Sequence, residues 1–490
     1  MQQLQNIDPN KVFFVNFSEL EGRLDPSIYR PQFKFISSKY RNVKLSEIAW
    51  IDPTCNFVKT KEVSFVPMDA IDSVNGAIAY QGLKKVEETK GFTRFKEGDI
   101  LWAKITPCMQ NAKSAIAKNL LNGYGCGSTE FFVIRTKDKN VVSQEYLLFL
   151  LRDDKILKSA MNYFGGSAGQ QRVSPLFLKT FNVPLPNIDE QNHFCEIVRN
   201  AQKSKHQKEQ QAEALLNSID NYLLGELGIS LPQKDAYYFD YCAEPQAEYG
   251  IHKEFELYEN NRLVRDEQIF LTNFSEVCGN RLDPFYYQKK YKVIDDIIDK
   301  LSNKCYLGDV INKLNNGIEV RDYIENGYRY LRVTDLGKNE LNNSSPRYIN
   351  INEIPSRIKL NENCILVSRS GSLGLINEVN TDMLDYVLSS HIFKVELKNE
   401  LINPKFAVEI LRNKICQEQI FRNNNGGIIP EIQQNALKSI RIPLPPLEKQ
   451  QKIVDHITAI RQQAKALQEE GKTILEDAKK EVERMILGNE

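Results

Sequence analysis

Two copies of one long segment make up most of the chain, and this duplication strongly limits how it can fold. Residues 11–228 and residues 268–488 align from end to end, and F-S-E-L at residues 17–20 returns as F-S-E-V at residues 274–277. A repeat of this length is a whole domain with its connector, far longer than the repeats of solenoids and propellers. Two similar but unequal domains suggest two similar but unequal targets.

The composition predicts several hydrophobic cores and no membrane segment. The 490 residues are too many for one core, and the hydrophobic share of 41% is sufficient for several. No apolar run approaches the length of a membrane helix and the start has no signal-peptide core, so we expect a cytoplasmic protein without a membrane partner. The nine cysteines include no C-x-x-C pair and the five histidines lack zinc-site spacing, which predicts reduced thiols and no metal site. Because the formal net charge is zero, any DNA contact must come from local patches or from a partner.

Each copy is predicted to have three parts, the first two of which are a short leader and a mixed α/β body. The leaders end in R-L-D-P, where Asp25 and Asp283 precede prolines, as N-cap residues do before Pro at the first helical position. Strand-like runs follow at residues 99–105, 130–134 and 391–395. After the last strand, segments of helical period occupy residues 146–163 and 406–421. The expected fold class is therefore α/β, of the mixed α+β kind.

The third part of each copy is a long helix with a heptad-like seam. Its positions alternate by steps of four and three, and most of them recur in the second copy at one constant offset, which predicts coiled-coil packing of helix one against helix two. Lys205 and Lys208 interrupt the apolar seam and need solvent, an acidic neighbour or a partner. The seam positions are Phe194, Val198, Ala201, Lys205, Lys208, Ala212, Leu215, Ile219 and Tyr222 in copy one, and Ile453, Ile457, Ile460, Ala464, Leu467, Gly471, Ile474 and Ala478 in copy two.

These parts divide the chain into five predicted regions. The segment between the copies, residues 230–267, carries nine acidic and four basic residues, which makes it a poor surface for phosphate. The regions are a first α/β domain (1–186), a first long helix (187–228), an acidic linker (229–267), a second α/β domain (268–445) and a second long helix (446–490).

No motif in the sequence indicates catalysis. Ala466 followed by Gly471-Lys472-Thr473 fits a relaxed phosphate-loop spacing, but these residues lie within a helix seam and not after a buried strand. The glycines of residues 165–169 likewise lack the strand-then-helix setting of a dinucleotide fold. No H-E-x-x-H or D/N-P-P-Y/F motif occurs in the sequence. We therefore expect that the chain by itself is not an enzyme.

Polar loops of the first body carry side chains suited to reading nucleic acid. Glutamine and asparagine can grip adenine with two hydrogen bonds, arginine can grip guanine, and serine or threonine can contact bases or phosphates. The ordinary alternative is that these side chains cap turns and bond to one another. The candidate residues in copy one are Lys104, Thr106, Gln110, Asn111, Lys113, Ser128, Thr129, Gln170, Gln171 and Arg172.

The order of these loops resembles the target-recognition domains of type I restriction–modification specificity subunits. Copy one carries G-D-I-L-W-A-K-I-T-P-C-M from Gly98, G-S-T-E-F from Gly127, G-Q-Q-R-V from Gly169 and V-P-L-P from Val183. Copy two carries I-L-V-S-R-S-G, L-S-S-H and I-P-L-P-P-L-E-K-Q in the same order, and the resemblance covers almost the whole chain. From this resemblance, the candidate DNA-contacting residues of copy two are Arg369, Ser370, Ser372, Ser389, Ser390, His391 and Asn424. Copy two has N-N-N-G-G-I-I-P in place of G-Q-Q-R-V, so the matching of residues at that loop stays open.

The resemblance implies a DNA-specificity subunit with two target-recognition domains and two long antiparallel helices, related by a pseudo-two-fold axis. Each domain would read one half of a bipartite, asymmetric site in double-stranded DNA, mainly from the major groove. The helices, about 55 Å long at 1.5 Å per residue, would set the spacer and dock two DNA methyltransferase (modification) subunits, and restriction/translocase subunits would complete the complex. S-adenosylmethionine, ATP and magnesium would belong to those partners, and no cofactor to this chain. The residues expected to hold the helices together and help form the docking surface are Val198, Leu215, Ile219, Ile457, Ile460 and Ile474.

Two alternatives stay open at this point. One is the specificity subunit of a two-component system whose partner fuses methyltransferase and nuclease. The other, from a different class, is a coiled-coil scaffold with two peptide-binding domains. Salt-dependent retention of duplex DNA separates a DNA reader from such a scaffold.

Overall fold

The computed structural model describes most of both copies, at residues 35–58, 60–166, 170–231, 257–259, 262–264, 284–425, 427 and 429–488. The helix caps predicted at Asp25 and Asp283 lie outside these described residues, as does most of the acidic linker. The chain forms two compact units, which are Met1–Glu209 with Gln468–Glu490 (the first unit) and Gln210–Leu467 (the second unit).

Two four-stranded sheets form the body of the first unit. In chain order its strands are β1 (Asn42–Lys44), β2 (Ala49–Ile51), β3 (Glu62–Val66), β4 (Ile71–Asp72), β5 (Ala77–Ile78), β6 (Gly82–Lys85), β7 (Thr93–Lys96), β8 (Ile100–Ala103), β9 (Ser114–Ile116), β10 (Tyr124–Gly127), β11 (Phe131–Thr136), β12 (Phe164–Gly165), β13 (Arg172–Val173) and β14 (Asn182–Pro184). One sheet is antiparallel in the order β2-β11-β8-β9. The other has the order β6-β3-β10-β7, with β3 and β10 parallel. A short antiparallel pair, β1-β14, precedes the long helix.

Short helices and aromatic side chains complete the core of the first unit. The helices are α1 (Leu45–Ile48), α2 (Gln144–Leu151), α3 (Asp154–Met161) and α4 (Pro175–Thr180), followed by the long helix α5 (Ile188–Glu226). Trp102 on β8 is buried and stacks on Phe132 and Phe177, with ring centroids 6.2 and 6.1 Å apart. Its indole nitrogen donates a hydrogen bond to the Leu151 carbonyl at 3.0 Å, so this large side chain is buried with its one polar group satisfied.

The second unit repeats this topology. The next strands in chain order are β15 (Leu257–Glu259) and β16 (Arg262–Val264), which pair with each other, and then β17 (Lys304–Tyr306), β18 (Ile311–Asn316), β19 (Tyr328–Leu331), β20 (Arg347–Ile349), β21 (Cys364–Ser368), β22 (Ile376–Glu378), β23 (Val387–Leu388), β24 (Ile392–Leu397) and β25 (Arg441–Pro443). The helices are α6 (Lys289–Asp299), α7 (Leu307–Val310), α8 (Pro404–Arg412), α9 (Lys414–Arg422), α10 (Gln434–Lys438) and the long helix α11 (Leu447–Leu487). The antiparallel sheet β18-β24-β21-β22 corresponds to β2-β11-β8-β9, and β20-β19-β23 corresponds to β6-β3-β10, again with its last pair parallel. The predicted duplication and the mixed α/β fold class are confirmed.

The prediction of one helix after the last strand of each copy is wrong in one respect, because each of these segments forms two helices. In the first unit the Asp153 carboxylate accepts hydrogen bonds from the backbone of Lys155 and Ile156, and so caps the start of α3 after α2 has ended. In the second unit Asn413 has an extended backbone, and its side chain accepts from Ile415 N at the start of α9. Side-chain caps of this kind start new helices, which a continuous apolar period does not reveal.

The long helices pack antiparallel within each unit. In the first unit Lys208 of α5 pairs with Glu470 of α11 at 2.8 Å, whereas Val198, nearer the start of α5, shares a buried cluster with Val482. In the second unit the pairs are Tyr222 with His456, whose ring centroids lie 4.1 Å apart, and Glu226 with Lys449 at 3.9 Å. The predicted seam is therefore present, and Lys208 has an acidic neighbour, which is one of the three environments expected for it.

Gly471 belongs to this helix packing and not to a phosphate-binding loop. The helix α11 is continuous through Gly471, Lys472 and Thr473. Gly471 is buried against Lys205, and a Cβ built on it would lie 3.3 Å from the Lys205 Cα. A residue without a side chain lets the two helices approach closely at Lys205, whose Nζ pairs with Glu209 of its own helix at 3.4 Å.

A buried glutamine ties each long helix to the body of its unit. Gln191, which is fully buried, accepts from Ser143 N at 2.9 Å and donates to the carbonyls of Val141 and Pro186, each at 2.9 Å. Gln450 makes the equivalent bonds in the second unit, to Asn403 N at 2.8 Å and to the carbonyls of Leu401 and Pro445 at 3.1 and 2.8 Å. The start of α2 or α8 is thereby fixed to the start of the long helix.

Replacing this amide by an apolar side chain of similar size is expected to destabilise its unit. Gln191→Leu leaves three backbone groups without this partner, at about 1–3 kcal/mol for a group that is buried, and Gln450→Leu does the same in the second unit. Calorimetry of the full-length chain should show a lower unfolding temperature for each variant. Gln211→Leu, at an exposed position of α5, is the matched control, and leucine variants that unfold with the parent would contradict the role of the glutamines.

Candidate nucleic-acid interface

Three segments of the first unit meet at one polar cluster. Lys104 follows β8, Glu130 precedes β11 and Arg172 begins β13, and we call these three residues cluster one. The backbone N–H of Lys104 donates to the Glu130 carbonyl, and that of Val173 donates to the Lys104 carbonyl, both at 2.9 Å. These backbone bonds place side chains that are far apart in sequence next to each other.

An ion pair dominates cluster one. Arg172 donates from Nε to Glu130 Oε2 at 2.9 Å and from Nη2 to Oε1 at 2.8 Å, which is a bidentate arrangement. The side chains are 43% and 22% exposed, so the pair faces solvent. The hydrogen bonds from Arg172 lower the pKa of the Glu130 carboxyl. Lys104 lies with Nζ 5.4 Å from the centre of the Phe132 ring. Two cations therefore face one carboxylate.

The remaining copy-one candidates fall into three groups. Thr106 N donates to the Gln171 carbonyl at 3.0 Å, which brings both residues to the edge of cluster one. Exposed side chains suited to contact lie at Gln110, Asn111, Thr129 and Gln170. Lys113 and Ser128 are engaged internally, because Lys113 Nζ donates to the Met68 carbonyl at 3.0 Å and Ser128 Oγ accepts from Glu130 N at 3.2 Å.

A half-buried arginine fixes the turn that presents Gln110 and Asn111. Arg152, directly after α2, donates to the Ala112 carbonyl at 2.8 Å and to the Ser73 carbonyl at 2.6 Å. Burial lowers the pKa of this guanidinium. Arg412, at the end of α8, likewise donates side-chain hydrogen bonds to backbone carbonyls, those of Ile376 and Asn339 at 2.9 and 3.0 Å. The loops beside the clusters are thus held by the same device in both units.

The second unit has a cluster at the equivalent place, formed by Arg369, His391 and Glu431 (cluster two). Arg369 N donates to the His391 carbonyl at 2.8 Å, and Ile432 N donates to the Arg369 carbonyl at 2.9 Å, as in cluster one. The bridge between Ser370 and Glu431 likewise corresponds to the bridge between Ile105 and Arg172. Arg369 therefore stands where copy one has Lys104, His391 where it has Glu130, and Glu431 where it has Arg172, which aligns the loop that the sequence leaves open.

The ion pair of cluster two is made by a different pair of positions. Arg369 Nη2 lies 2.5 Å from Glu431 Oε1, and Arg369 Nη1 donates to the Ser390 carbonyl at 3.2 Å. The side chain of Asn424 accepts from Glu431 N at 2.9 Å. His391 is exposed, Ser370, Ser372 and Ser390 are half-buried, and Ser389 is buried.

Glu130 and Glu431 are site residues that the sequence did not single out. Each lies far along the chain from its arginine, 42 residues for Glu130 and Arg172 and 62 for Glu431 and Arg369. The sequence feature that could have identified Glu130 is its charge within G-S-T-E-F, directly before a strand. Glu431 had no such signal, because its loop does not align by sequence.

The residues predicted to join the helices lie mainly inside the units. Val198, Ile219, Ile457 and Ile460 are buried, whereas Leu215 and Ile474 are half-buried. Their place in the packing of the chain itself is clear, and a direct role in docking other subunits stays a prediction. In the part of the chain that the structure describes, no helix is long and apolar enough to cross a membrane, and no group of three His, Cys, Asp or Glu side chains could hold a metal ion.

The two units share one scaffold, and each carries a differently charged polar cluster at the same place. The family model described as the type I restriction modification DNA specificity domain matches residues 37–216 and 288–476. These matches cover more than half of the chain, and the chain belongs to this family.

Individual relatives agree with this assignment. The chain is 37% identical over 180 residues to the type I restriction enzyme EcoAI specificity subunit of Escherichia coli, a match that covers 36% of this chain and only 30% of that subunit's length. It is 24% identical over 397 residues to the putative type I restriction enzyme MjaX specificity subunit of Methanocaldococcus jannaschii, covering 80% of this chain and 77% of that one. A solved structure, described as the structural basis underlying complex assembly and conformational transition of the type I R-M system, has a TM-score of 0.53 at 18% identity and covers 92% of this chain and 96% of its own. That likeness shows the fold.

Proposed function

We propose that this chain is the DNA-specificity subunit of a type I restriction–modification complex, in which each unit reads one half of a bipartite, asymmetric site in double-stranded DNA. The observation that carries the proposal is the pair of clusters. One backbone arrangement presents Lys104, Glu130 and Arg172 in the first unit and Arg369, His391 and Glu431 in the second. A common scaffold with different side chains suits two half-sites of different sequence.

Cluster one and its neighbours offer the chemistry of base reading. Arginine can donate two hydrogen bonds to guanine, and the amides of Gln110, Asn111 and Gln171 can do the same for adenine. The zero net charge of the chain is compatible with this role if other subunits supply much of the phosphate binding, which contributes affinity without sequence preference.

The other parts of the proposal concern the partners. Two DNA methyltransferase subunits dock on the long helices, and restriction/translocase subunits complete the complex. Those partners hold S-adenosylmethionine, ATP and magnesium, while this chain is non-catalytic and works in the cytoplasm. The helices, about 60 Å long for 39 and 41 residues, set the unread spacer, so the gap in the recognised motif should change with their length.

Alanine at Gln170, Gln171 and Arg172 is expected to relax recognition of one half-site only. A base-specific bidentate contact carries about 1–3 kcal/mol of discrimination, and these residues belong to the first unit alone. The measurement is a map of methylated motifs on genomic DNA from cells that carry the complete system, with the parent or the variant chain.

The control for this variant is alanine at Glu87, Glu88 and Lys90, three exposed residues of another turn of the same unit, which should leave the motif unchanged. Equal relaxation of both half-sites, or of neither, argues against direct reading by this loop. A parent system that methylates no two-part motif at all overturns the proposed function.

A further inference from the structure

Both clusters contain an arginine held by a glutamate, although the two members of the pair have changed segments. In cluster one the arginine lies on β13 and the glutamate precedes β11. In cluster two Arg369 follows β21, and Glu431 occupies the position that corresponds to Arg172. The backbone bonds that join these segments are the same in both units although the arginine and the glutamate stand at different positions, so those bonds do not determine where the two charges lie. The carboxylate therefore needs an explanation of its own.

The geometry of cluster one indicates what the carboxylate does for the arginine. Glu130 occupies the Nε–Nη2 edge of the Arg172 guanidinium, and the Gln170 carbonyl accepts from Nη1 at 3.2 Å. These bonds use one N–H on each of three nitrogens, whereas a guanidinium has five N–H groups in one plane. Glu130 fills one of the two guanidinium edges that can donate a pair of parallel hydrogen bonds, which leaves the end-on edge between Nη1 and Nη2, whose fork matches the O6 and N7 acceptors of guanine.

The same carboxylate limits the charge that cluster one offers to bare phosphate. Lys104 and Arg172 are both cations, and Glu130 cancels one of the two charges. Sequence-independent binding to DNA depends on the number of cations that neutralise phosphates. An arginine already paired with a carboxylate gains less from a phosphate than an unpaired one.

We propose that Glu130 is a specificity-determining positioning residue, which presents the end-on edge of Arg172 to a guanine in the major groove and restrains cluster one from binding non-target DNA. In cluster two Glu431, paired with Nη2 of Arg369, limits the charge of that arginine. This inference rests on the proposed function, because it requires that the first unit reads DNA.

The first test removes the charge of Glu130 without changing its shape. Glu130→Gln in the full-length chain, assembled with its partner subunits, is expected to bind a short fluorescent duplex of scrambled sequence more tightly, by a factor on the order of ten at low salt, with a salt slope steeper by about one. Anisotropy titrations at several salt concentrations measure both quantities. The control is Glu88→Gln, which removes the same charge from an exposed turn and should behave as the parent does.

The second test keeps the charge and removes the planar fork. Arg172→Lys should leave the affinity for the scrambled duplex and its salt slope unchanged, while discrimination between the methylated target and the scrambled duplex falls by about tenfold or more. A Glu130→Gln variant with the affinity and slope of Glu88→Gln, or an Arg172→Lys variant with full discrimination, overturns the positioning role. In either case a parent complex that still prefers its target leaves the proposed function intact, whereas a parent without any target preference ends both proposals.

Discussion

Cells that carry the triple variant Lys104→Arg, Glu130→His and Arg172→Glu are expected to methylate a motif that differs from the parent's in one half only. These substitutions convert cluster one into the residue set of cluster two. Because the backbone contacts of the two clusters are equivalent, the new arginine and glutamate can pair as Arg369 and Glu431 do. The bases in front of the cluster then meet a differently placed guanidinium, and the loss of one bidentate contact costs about 1–3 kcal/mol of discrimination.

The control for this exchange is alanine at Glu87, Glu88 and Lys90, on an exposed turn outside the cluster. It keeps the charge of cluster one and leaves the pair of Glu130 and Arg172 in place, so the motif should keep both halves. Methylation mapping by direct sequencing of modified bases compares all three systems. An unchanged motif in the triple variant would show that the clusters do not read bases, and a change in both halves would show that they act on the complex as a whole.

The parts of the fold that follow from local pattern could be predicted from the sequence. Runs such as residues 130–134 are rich in β-branched and aromatic side chains, and they form strands where expected. The seam of the long helices depends only on spacing, and its duplication makes it easy to recognise. Lys208 was expected to need solvent, an acidic neighbour or a partner, and Glu470 is its acidic neighbour.

The parts that depend on long-range pairing could not be predicted. Arg172 was expected to be a base reader by its residue type, but its carboxylate partner precedes another strand and is set by the bridge between Ile105 and Arg172. The equivalence of Glu431 with Arg172 is a property of backbone register, which side-chain identity does not encode. The buried Gln191 escaped notice for the same reason, since its three partners lie in two separate segments.

The long helices have a closer relation to the units than a seam between two helices suggests. Ile219 of α5 is 6% exposed, and it belongs to one buried cluster with Phe393 of β24 and Ile457 of α11. This part of α5 is therefore a component of the hydrophobic core of the second unit. Substitutions in the seam should act on the folding of the unit before they act on the docking of any partner.

Ile219→Asp is accordingly expected to unfold the second unit at temperatures where the parent is stable. Loss of the buried side chain alone costs on the order of 2–5 kcal/mol, and the carboxylate adds the cost of burying a charge without a partner. Proteolysis of the full-length chain at increasing temperature, with cleavage sites assigned by mass spectrometry, measures where protection is lost. Asn217→Asp introduces the same charge two residues away at an exposed position and should retain the parent's protection. If Ile219→Asp keeps the second unit as resistant as Asn217→Asp does, the helix is a separable connector and its seam serves assembly alone.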